Sequence, residues 1–354
     1  MTGTIKQFRR GLVVGKFCPL HRGHELVIQT AIANCDEVLV ISYTKPEFAE
    51  CPPLKREAWI QALFPSVKTL VLNDELLYHL CAQHNLQHAA IPQNDASDII
   101  HRKFVGWLCW DLLHLTVDAV FTSEDYGDGF SIALTAYFKE RGHPSQMVKH
   151  VCVDKARTLI PTTGTSIRTD PHLHRQFLSP AVYASFVKRI CILGGESTGK
   201  TTLSIALANH FETVWAPEYG RELWDARRGD LEYEDLLKIG QEQISREKAL
   251  AEKANHWLFC DTAPLTTLFY SVSMFNQADP QLQELANRRY DAVFLCAPDF
   301  PFVQDGTRKD DDFRQRQHRW YLNTLAEKDL PYFLISGSLE SRIKAVAKHL
   351  STIS

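Results

Sequence analysis

Short apolar runs alternate with amphipathic stretches from one end of the chain to the other. Residues 11–14 form a compact, valine-containing run, and residues 24–34 behind it repeat their apolar positions at helical spacing. The same pattern predicts strands at 37–43 and 119–121, an extended segment at 147–153, and helices at 55–63, 99–115 and 130–140. A polar turn, Pro161-Thr162-Thr163-Gly164-Thr165, leads into a helix start near Ser166, and Ser179-Pro180 opens a short helix ending near Lys188. There the pattern restarts: a strand at 189–193, a helix at 200–210, and strands at 213–215, 257–260, 292–296 and 332–335 with helical segments between. Strands separated by helices predict an α/β class with mainly parallel sheets. The boundary falls near residue 187, giving domains at 1–187 and 188–354.

Composition narrows the class. The 354 residues are 45% hydrophobic and 23% charged, enough for two cores in an ordinary globular chain. A formal charge of -3 provides no overall basic field for nucleic acid. Met1 to Arg10 lacks a signal-peptide apolar core, and no stretch reaches the roughly 18 apolar residues of a membrane span. The nine cysteines are scattered without a CxxC pair, as expected of free thiols in a reducing cytosol.

Each apolar strand that opens a half runs into a glycine-containing loop. The first reads Gly15-Lys16-Phe17-Cys18-Pro19-Leu20-His21-Arg22-Gly23-His24. A helix start offers unpaired N–H groups to a phosphate, and two imidazoles on one turn can donate to oxygens as charge builds on departing pyrophosphate. A metal pair or incidental surface histidines is the plainer alternative. Downstream, Thr163-Gly164-Thr165-Ser166-Ile167-Arg168 sets hydroxyls and a guanidinium at another helix start, where a triphosphate tail would find donors.

The second loop, Gly194-Gly195-Glu196-Ser197-Thr198-Gly199-Lys200-Thr201, satisfies GxxxxGK[ST] between strand and helix. In that motif the backbone N–H groups, with Thr202 next in line, cradle phosphates, Lys200 reaches β/γ oxygens and Thr201 ligates Mg²⁺. Glu218-Tyr219-Gly220-Arg221 follows the next strand, and Asp261-Thr262 ends the one after. An alcohol acceptor needs help losing its proton, so Glu218 or Asp261 is the base; a helix cap or solvated loop is the plainer reading of either. Gln304-Asp305-Gly306-Thr307-Arg308 opens a charged stretch whose arginines (Arg308, Arg314, Arg316, Arg319) suit a lid over the phosphates or a salt-bridged surface helix. Asp305 suits ribose hydroxyls. His79, His84 and His88 do not share a helical face, which argues against a metal site. Trp59 and Trp107, with Arg56 near the former, are either core or a stacking surface for a heteroaromatic base.

The first loop and the Thr163–Arg168 motif together resemble the nucleotidyltransferase superfamily, with Thr163 where serine is common and Ser166 where a basic residue often stands. That resemblance implies that Gly15, Lys16, Phe17, His21, His24, Thr165, Ser166 and Arg168 bind ATP, and that attack by a phosphate monoester needs no base. The order of all the motifs resembles the bifunctional NadR-type proteins over essentially the whole chain. This implies a Rossmann-like adenylyltransferase domain followed by a P-loop ribosylnicotinamide kinase domain, with ATP as substrate and Mg²⁺ as cofactor. Ser123-Glu124 and Gly106-Trp107 are similar to positions lining the mononucleotide site, so Arg56, Trp59, Trp107 and Ser123 are its expected residues. Glu218, Tyr219, Asp261 and Asp305 are those for the riboside. The implied small-molecule partners are ATP, nicotinamide riboside, nicotinamide mononucleotide and NAD, handled in the cytoplasm. A homo-oligomer is compatible with the sequence. Some members carry an N-terminal helix-turn-helix domain; here the first strand begins about ten residues in, so DNA binding is not expected. Two other readings remain: a pantetheine-phosphate adenylyltransferase/dephospho-coenzyme A kinase fusion, and a nucleotide-sensing regulator with weak turnover.

Overall fold

The computed structural model describes residues 6–123, 126–155, 158–300 and 310–353. The chain divides into two compact units, Met1–Ser185 and Phe186–Ser354. Among the described residues, no helix is long and apolar enough to cross a membrane.

The first unit is built on a five-stranded sheet of β1 (Phe8–Gly15), β2 (Cys35–Ser42), β3 (Lys68–Val71), β4 (Ala119–Thr122) and β5 (Lys149–Cys152), ordered β3-β2-β1-β4-β5. Every adjacent pair is parallel, with Gly11 paired to both Val38 and Ala119. Strand order reverses direction at β1, which opens a crevice beyond the carboxyl ends of β1 and β4. The core brings Leu12, Ile41 and Val120 of the strands against Phe104, Leu134 and Phe138 of the helices Asp98–Trp107 and Gly127–Glu140. The helix expected over 99–115 stops being α-helical at Trp107 and passes into a π turn, Leu108–Leu112. Leu108, Cys109 and Leu112 are all buried there, so packing decides the local winding. Strand β3 and the helix Asp74–Gln83 were not foreseen. β3 is an edge strand with only Val71 buried, so its apolar signal is weak.

The second unit repeats the plan with β6 (Lys188–Gly194), β7 (Val214–Ala216), β8 (Trp257–Asp261), β9 (Ala292–Cys296) and β10 (Phe333–Ile335), ordered β10-β9-β6-β8-β7 and parallel throughout. Side chains of β6 alternate between faces. Ile190 and Ile192 pack with Leu203, Leu207 and Val346 on one face, while Cys191 and Leu193 pack with Leu265, Tyr321 and Leu325 on the other. A strand covered on both faces must be apolar throughout, which is why 190–193 reads as an unbroken run. Register sets Ile192 opposite Asp261 and Gly194 opposite Cys296. The carboxyl end of β8 therefore lies beside the start of the second glycine loop.

Candidate active sites

In the first unit the helix Arg22–Asn34 begins in a cap made of two histidines. His21 is the N-cap residue, and its Nδ1 accepts from the Gly23 N–H at 3.2 Å, while the His21 N–H donates to His24 Nδ1 at 3.4 Å. An Nδ1 that accepts cannot carry a proton, so in each neutral ring the proton sits on Nε2. The rings stack with centroids 3.7 Å apart, and Phe17 meets His24 edge-on at 5.0 Å. Both histidines line a cavity of about 550 Å³, together with Gly15, Lys16, Phe17, Ser123, Thr165 and Arg168. Arg168 closes it: Nη1 donates to the Cys18 carbonyl, Nη2 donates to Thr165 Oγ1 at 3.0 Å, and the guanidinium lies 4.2 Å from the Phe48 ring centroid. Thr163 caps the helix Gly164–Thr169, its Oγ1 accepting from the Ser166 N–H at 3.1 Å, with the Ser166 hydroxyl 2.8 Å away. Ser166 is thus engaged in the cap and lies outside the cavity wall.

Three residues expected around a mononucleotide are not brought to this cavity. Trp59 is buried, its indole N–H donating to Ser185 Oγ at 2.8 Å. Arg56 is fully buried and donates to Ser42 Oγ at 2.7 Å, to the Cys51 carbonyl at 3.1 Å and to both Glu47 oxygens. Trp107 packs on the core beside Phe104. Burial of the aromatic faces and pairing of the guanidinium explain all three placements. In their place the wall carries Tyr43, His101, Thr122 and Tyr126, none foreseen from sequence. His101 Nδ1 meets the Tyr43 hydroxyl at 3.0 Å, and burial, then the nearby Lys16 charge, lowers its pKa. Glu124 lies outside the described residues.

In the second unit Gly194 and Gly199 take φ of +151° and +80°. A Cβ on Gly194 would stand 2.6 Å from Thr198 Oγ1, so only glycine allows the turn. The Gly195 carbonyl accepts from Thr198 Oγ1 at 2.8 Å and from Lys200 Nζ at 2.9 Å. Thr201 donates to Asp261 Oδ2 at 2.6 Å, and Thr202 is exposed on the first turn of the helix Lys200–His210. Glu218 stands at the N-cap position of the helix Tyr219–Ala226, makes no side-chain cap hydrogen bond there, and is half-buried. Burial raises its pKa to about 7, opposed by the Lys200 charge and reinforced by Asp261. Asp261 is also raised, chiefly by burial, against the pull of Lys200 and the Thr201 hydrogen bond. Tyr219 is held through its N–H to Gln243 Oε1 at 3.0 Å, with Arg246 over its ring.

Several supports had no signal in the sequence. Tyr270 donates to Glu196 Oε1 at 3.0 Å, and Gln317 Oε1 accepts from the Glu196 N–H at 2.9 Å. Arg342, from the helix Leu339–Ile353, is buried and donates to the carbonyls of Thr198 at 2.7 Å, Ala297 at 3.1 Å and Gly337 at 3.1 Å while pairing with Asp299. In sequence it is one more basic residue of an amphipathic helix. Arg314, expected in a lid, is buried in the helix Asp311–Glu327 and donates to the Phe300 carbonyl at 2.9 Å. Asp305 and Arg308 lie outside the described residues.

A profile of the AAA domain family matches residues 189–342. The trifunctional NAD biosynthesis/regulator protein NadR of Escherichia coli (strain K12) is 28% identical over 322 residues, covering 84% of this chain and 71% of that protein. Its Salmonella typhimurium counterpart is 29% identical over 314 residues, covering 86% and 72%. The chain is similar to NadR proteins over most of its length. Two solved NadR structures share its fold. One, in complex with NR, gives a TM-score of 0.65 at 20% identity, covering 94% of this chain and 90% of that one. The other, in complex with NAD and AMP-PNP, gives 0.67 at 20% identity, covering 98% of each. The chain therefore carries a P-loop nucleotide-binding unit and is similar to proteins of NAD biosynthesis.

Replacing Arg342 by methionine is expected to destabilise the second unit by about 3 kcal/mol or more, since it strands three carbonyls and a carboxylate. Urea unfolding followed by tryptophan fluorescence measures this; a loss below about 1 kcal/mol would show that the loop stands without the brace.

Proposed function

We propose that the second unit transfers the γ-phosphoryl group of ATP to the 5′-hydroxyl of nicotinamide riboside, and that the first unit joins the resulting mononucleotide to AMP from a second ATP, giving NAD and pyrophosphate in the cytoplasm. The observation that carries this reading is the pairing, in one chain, of a histidine-capped helix start with a P-loop that has its own half-buried carboxylate. Similarity to NadR proteins over most of the chain supports the choice of substrates.

In the first unit the acceptor is a phosphate monoester, already an anion at neutral pH, so positioning and charge stabilisation suffice. With Nδ1 accepting from the backbone, Nε2–H of His21 and His24 is a donor for the oxygens of ATP. Arg168 and Thr165 line the same cavity and add donors there. Pyrophosphate then leaves into a ring of N–H and O–H groups, each contributing about 2–4 kcal/mol to the transition state.

The second unit must activate an alcohol. Asp261 is buried and spends one oxygen on Thr201, which leaves Glu218 as the better base. Its pKa near 7 keeps it part-ionised at neutral pH and strong enough to accept a proton. Lys200 lies near it and would follow the β/γ phosphates once released from the Gly195 carbonyl. The donor set also fits Mg²⁺: Asp261 Oδ1 is buried without a hydrogen-bond partner, beside the Thr201 hydroxyl, and hard oxygens of this kind suit that ion. Held by Thr201 and Asp261, Mg²⁺ would offset the charge of the β and γ phosphates.

Chromatography of the products from nicotinamide riboside, ATP and Mg²⁺ tests the whole reading, with NAD expected. His24→Ala should stop the sequence at the mononucleotide, and Lys200→Ala should block riboside phosphorylation yet still convert supplied mononucleotide to NAD. If either change silenced both steps in folded protein, two independent sites would be the wrong picture. A base must be unprotonated to act, so kcat/KM for the riboside should fall as pH drops below about 7. Glu218→Gln should lose about 10²–10⁴-fold in rate together with that acid limb. A variant retaining the full acid limb would transfer the role to another group. Finally, Asp261→Asn should remove most of the Mg²⁺ dependence of nucleotide binding, read by calorimetry with and without the ion; undiminished dependence would place the metal elsewhere.

A further inference from the structure

In the first unit two cysteines from different segments meet beside the histidine-capped loop. Cys18 follows β1 and lines the cavity, while Cys51 lies in the turn between β2 and the helix Pro53–Leu63. Parallel pairing sets Gly15 beside Ser42 at the carboxyl ends of β1 and β2, so both segments leave the sheet at one place. Two arginines then tie them together. Arg56 donates to the Cys51 carbonyl at 3.1 Å and to Ser42 Oγ at 2.7 Å. Ser42 Oγ in turn donates to the Lys16 carbonyl at 3.1 Å, which also accepts from Cys18 Sγ at 3.1 Å. Arg168 donates to the Cys18 carbonyl and lies over Phe48, whose own carbonyl accepts from the Cys51 N–H at 2.9 Å. Held in this frame, the two thiols hydrogen-bond to each other, with Cys18 2% and Cys51 0% exposed. Neither has a part in the phosphate chemistry above.

Their contact makes the two thiols unequal. The Cys18 S–H steadies a thiolate on Cys51 and lowers its pKa against the effect of burial, and the Arg168 charge adds to that. The same hydrogen bond, then burial, raises Cys18. A thiolate next to a second thiol is the arrangement from which disulfides form, and such links in cytosolic proteins are transient and regulatory.

We propose that Cys18 and Cys51 are a redox-modification site, joined reversibly as a disulfide by hydrogen peroxide, and that the linked form shuts down the first unit alone. The effect on activity rests on the adenylyl-transfer reading of the cavity. Peroxide is small enough to enter that cavity, and Cys18 is the cysteine on its wall. As the Cys51 thiolate draws the proton across the hydrogen bond, the Cys18 sulfur attacks one peroxide oxygen. The O–O bond breaks, hydroxide leaves, and Cys18 becomes a sulfenic acid. That hydroxide takes the proton from Cys51 as water, and the Cys51 sulfur attacks the Cys18 sulfur. The S–O bond breaks as the S–S bond forms, and the second hydroxide leaves as water with the proton first lost from the pair. Two thiols have then given up two electrons, and one peroxide has become two waters. Bonding draws Cys18 Sγ off the Lys16 carbonyl and pulls the loop that carries His21 and His24. Misplacing reacting groups by about 1 Å costs on the order of 10²-fold in rate.

Peptide mapping by mass spectrometry tests the site on protein treated with peroxide and then alkylated. A peptide pair linked through Cys18 and Cys51 is expected, and dithiothreitol should release it. In parallel, NAD formation from supplied mononucleotide should fall about a hundredfold on oxidation and return with dithiothreitol, while riboside phosphorylation holds. Cys51→Ser should keep the activity of the reduced protein and lose the peroxide response. Alkyl groups on both Cys18 and Cys51 after peroxide, with the exposed Cys152 oxidised instead, would overturn the proposal, and that readout needs no variant. So would a linked pair with adenylyl transfer undiminished, an equal loss of riboside phosphorylation, or a peroxide loss that persists in Cys51→Ser. If the reduced protein forms no NAD but the reversible link appears, adenylyl transfer is the reading that falls and the modification site stands.

Discussion

A loop that turns its backbone N–H groups toward a phosphate must send some of its carbonyls elsewhere, and a carbonyl away from water needs a donor. In both units an arginine from a far segment supplies it. Arg168 donates to the Cys18 carbonyl in the first loop, and Arg342 donates to the Thr198 carbonyl in the second. Neither loop could hold its shape through glycine freedom alone, because glycine lowers the cost of the turn without specifying it. The guanidinium fork specifies it, taking several acceptors at fixed angles while staying charged at any relevant pH.

Around this common device the two sites are charged differently. The first loop commits the Nδ1 atoms of its two imidazoles to backbone N–H groups, which turns their Nε2 atoms into donors. The second sets Lys200 among Glu218 and Asp261; burial raises both carboxyl groups, the Asp261 charge raises Glu218 further, and the ammonium restrains them. This difference matches the acceptors proposed for each. A phosphate arrives ionised, whereas a hydroxyl arrives with a proton to lose. In each case the central strand of a parallel sheet delivers the loop to the crevice where strand order reverses.

The strands were legible because both faces of a parallel sheet are buried, which leaves unbroken apolar runs such as 190–193 and 292–296. The glycine loops were legible because they are local in sequence. Trp59, Trp107 and Arg56 had been expected around a ligand, yet the core holds them, and no pattern within a helix distinguishes a buried aromatic edge from a stacking surface. Arg342 and Tyr270 carried no local signal, since their partners lie far away along the chain.

What the sequence determined by itself were the short-range facts: alternation of strand and helix, two loops with phosphate-binding spacing, and a restart between them. Each of these depends on neighbours within one turn or one strand. What only the tertiary structure decided was which proton each group holds and which aromatics face a ligand. The histidine tautomers, the raised carboxyl of Glu218 and the two arginine braces all follow from burial and from partners brought together by the fold. Electrostatics in a folded interior is set by three-dimensional distance and by the exclusion of water, and neither is written in residue order.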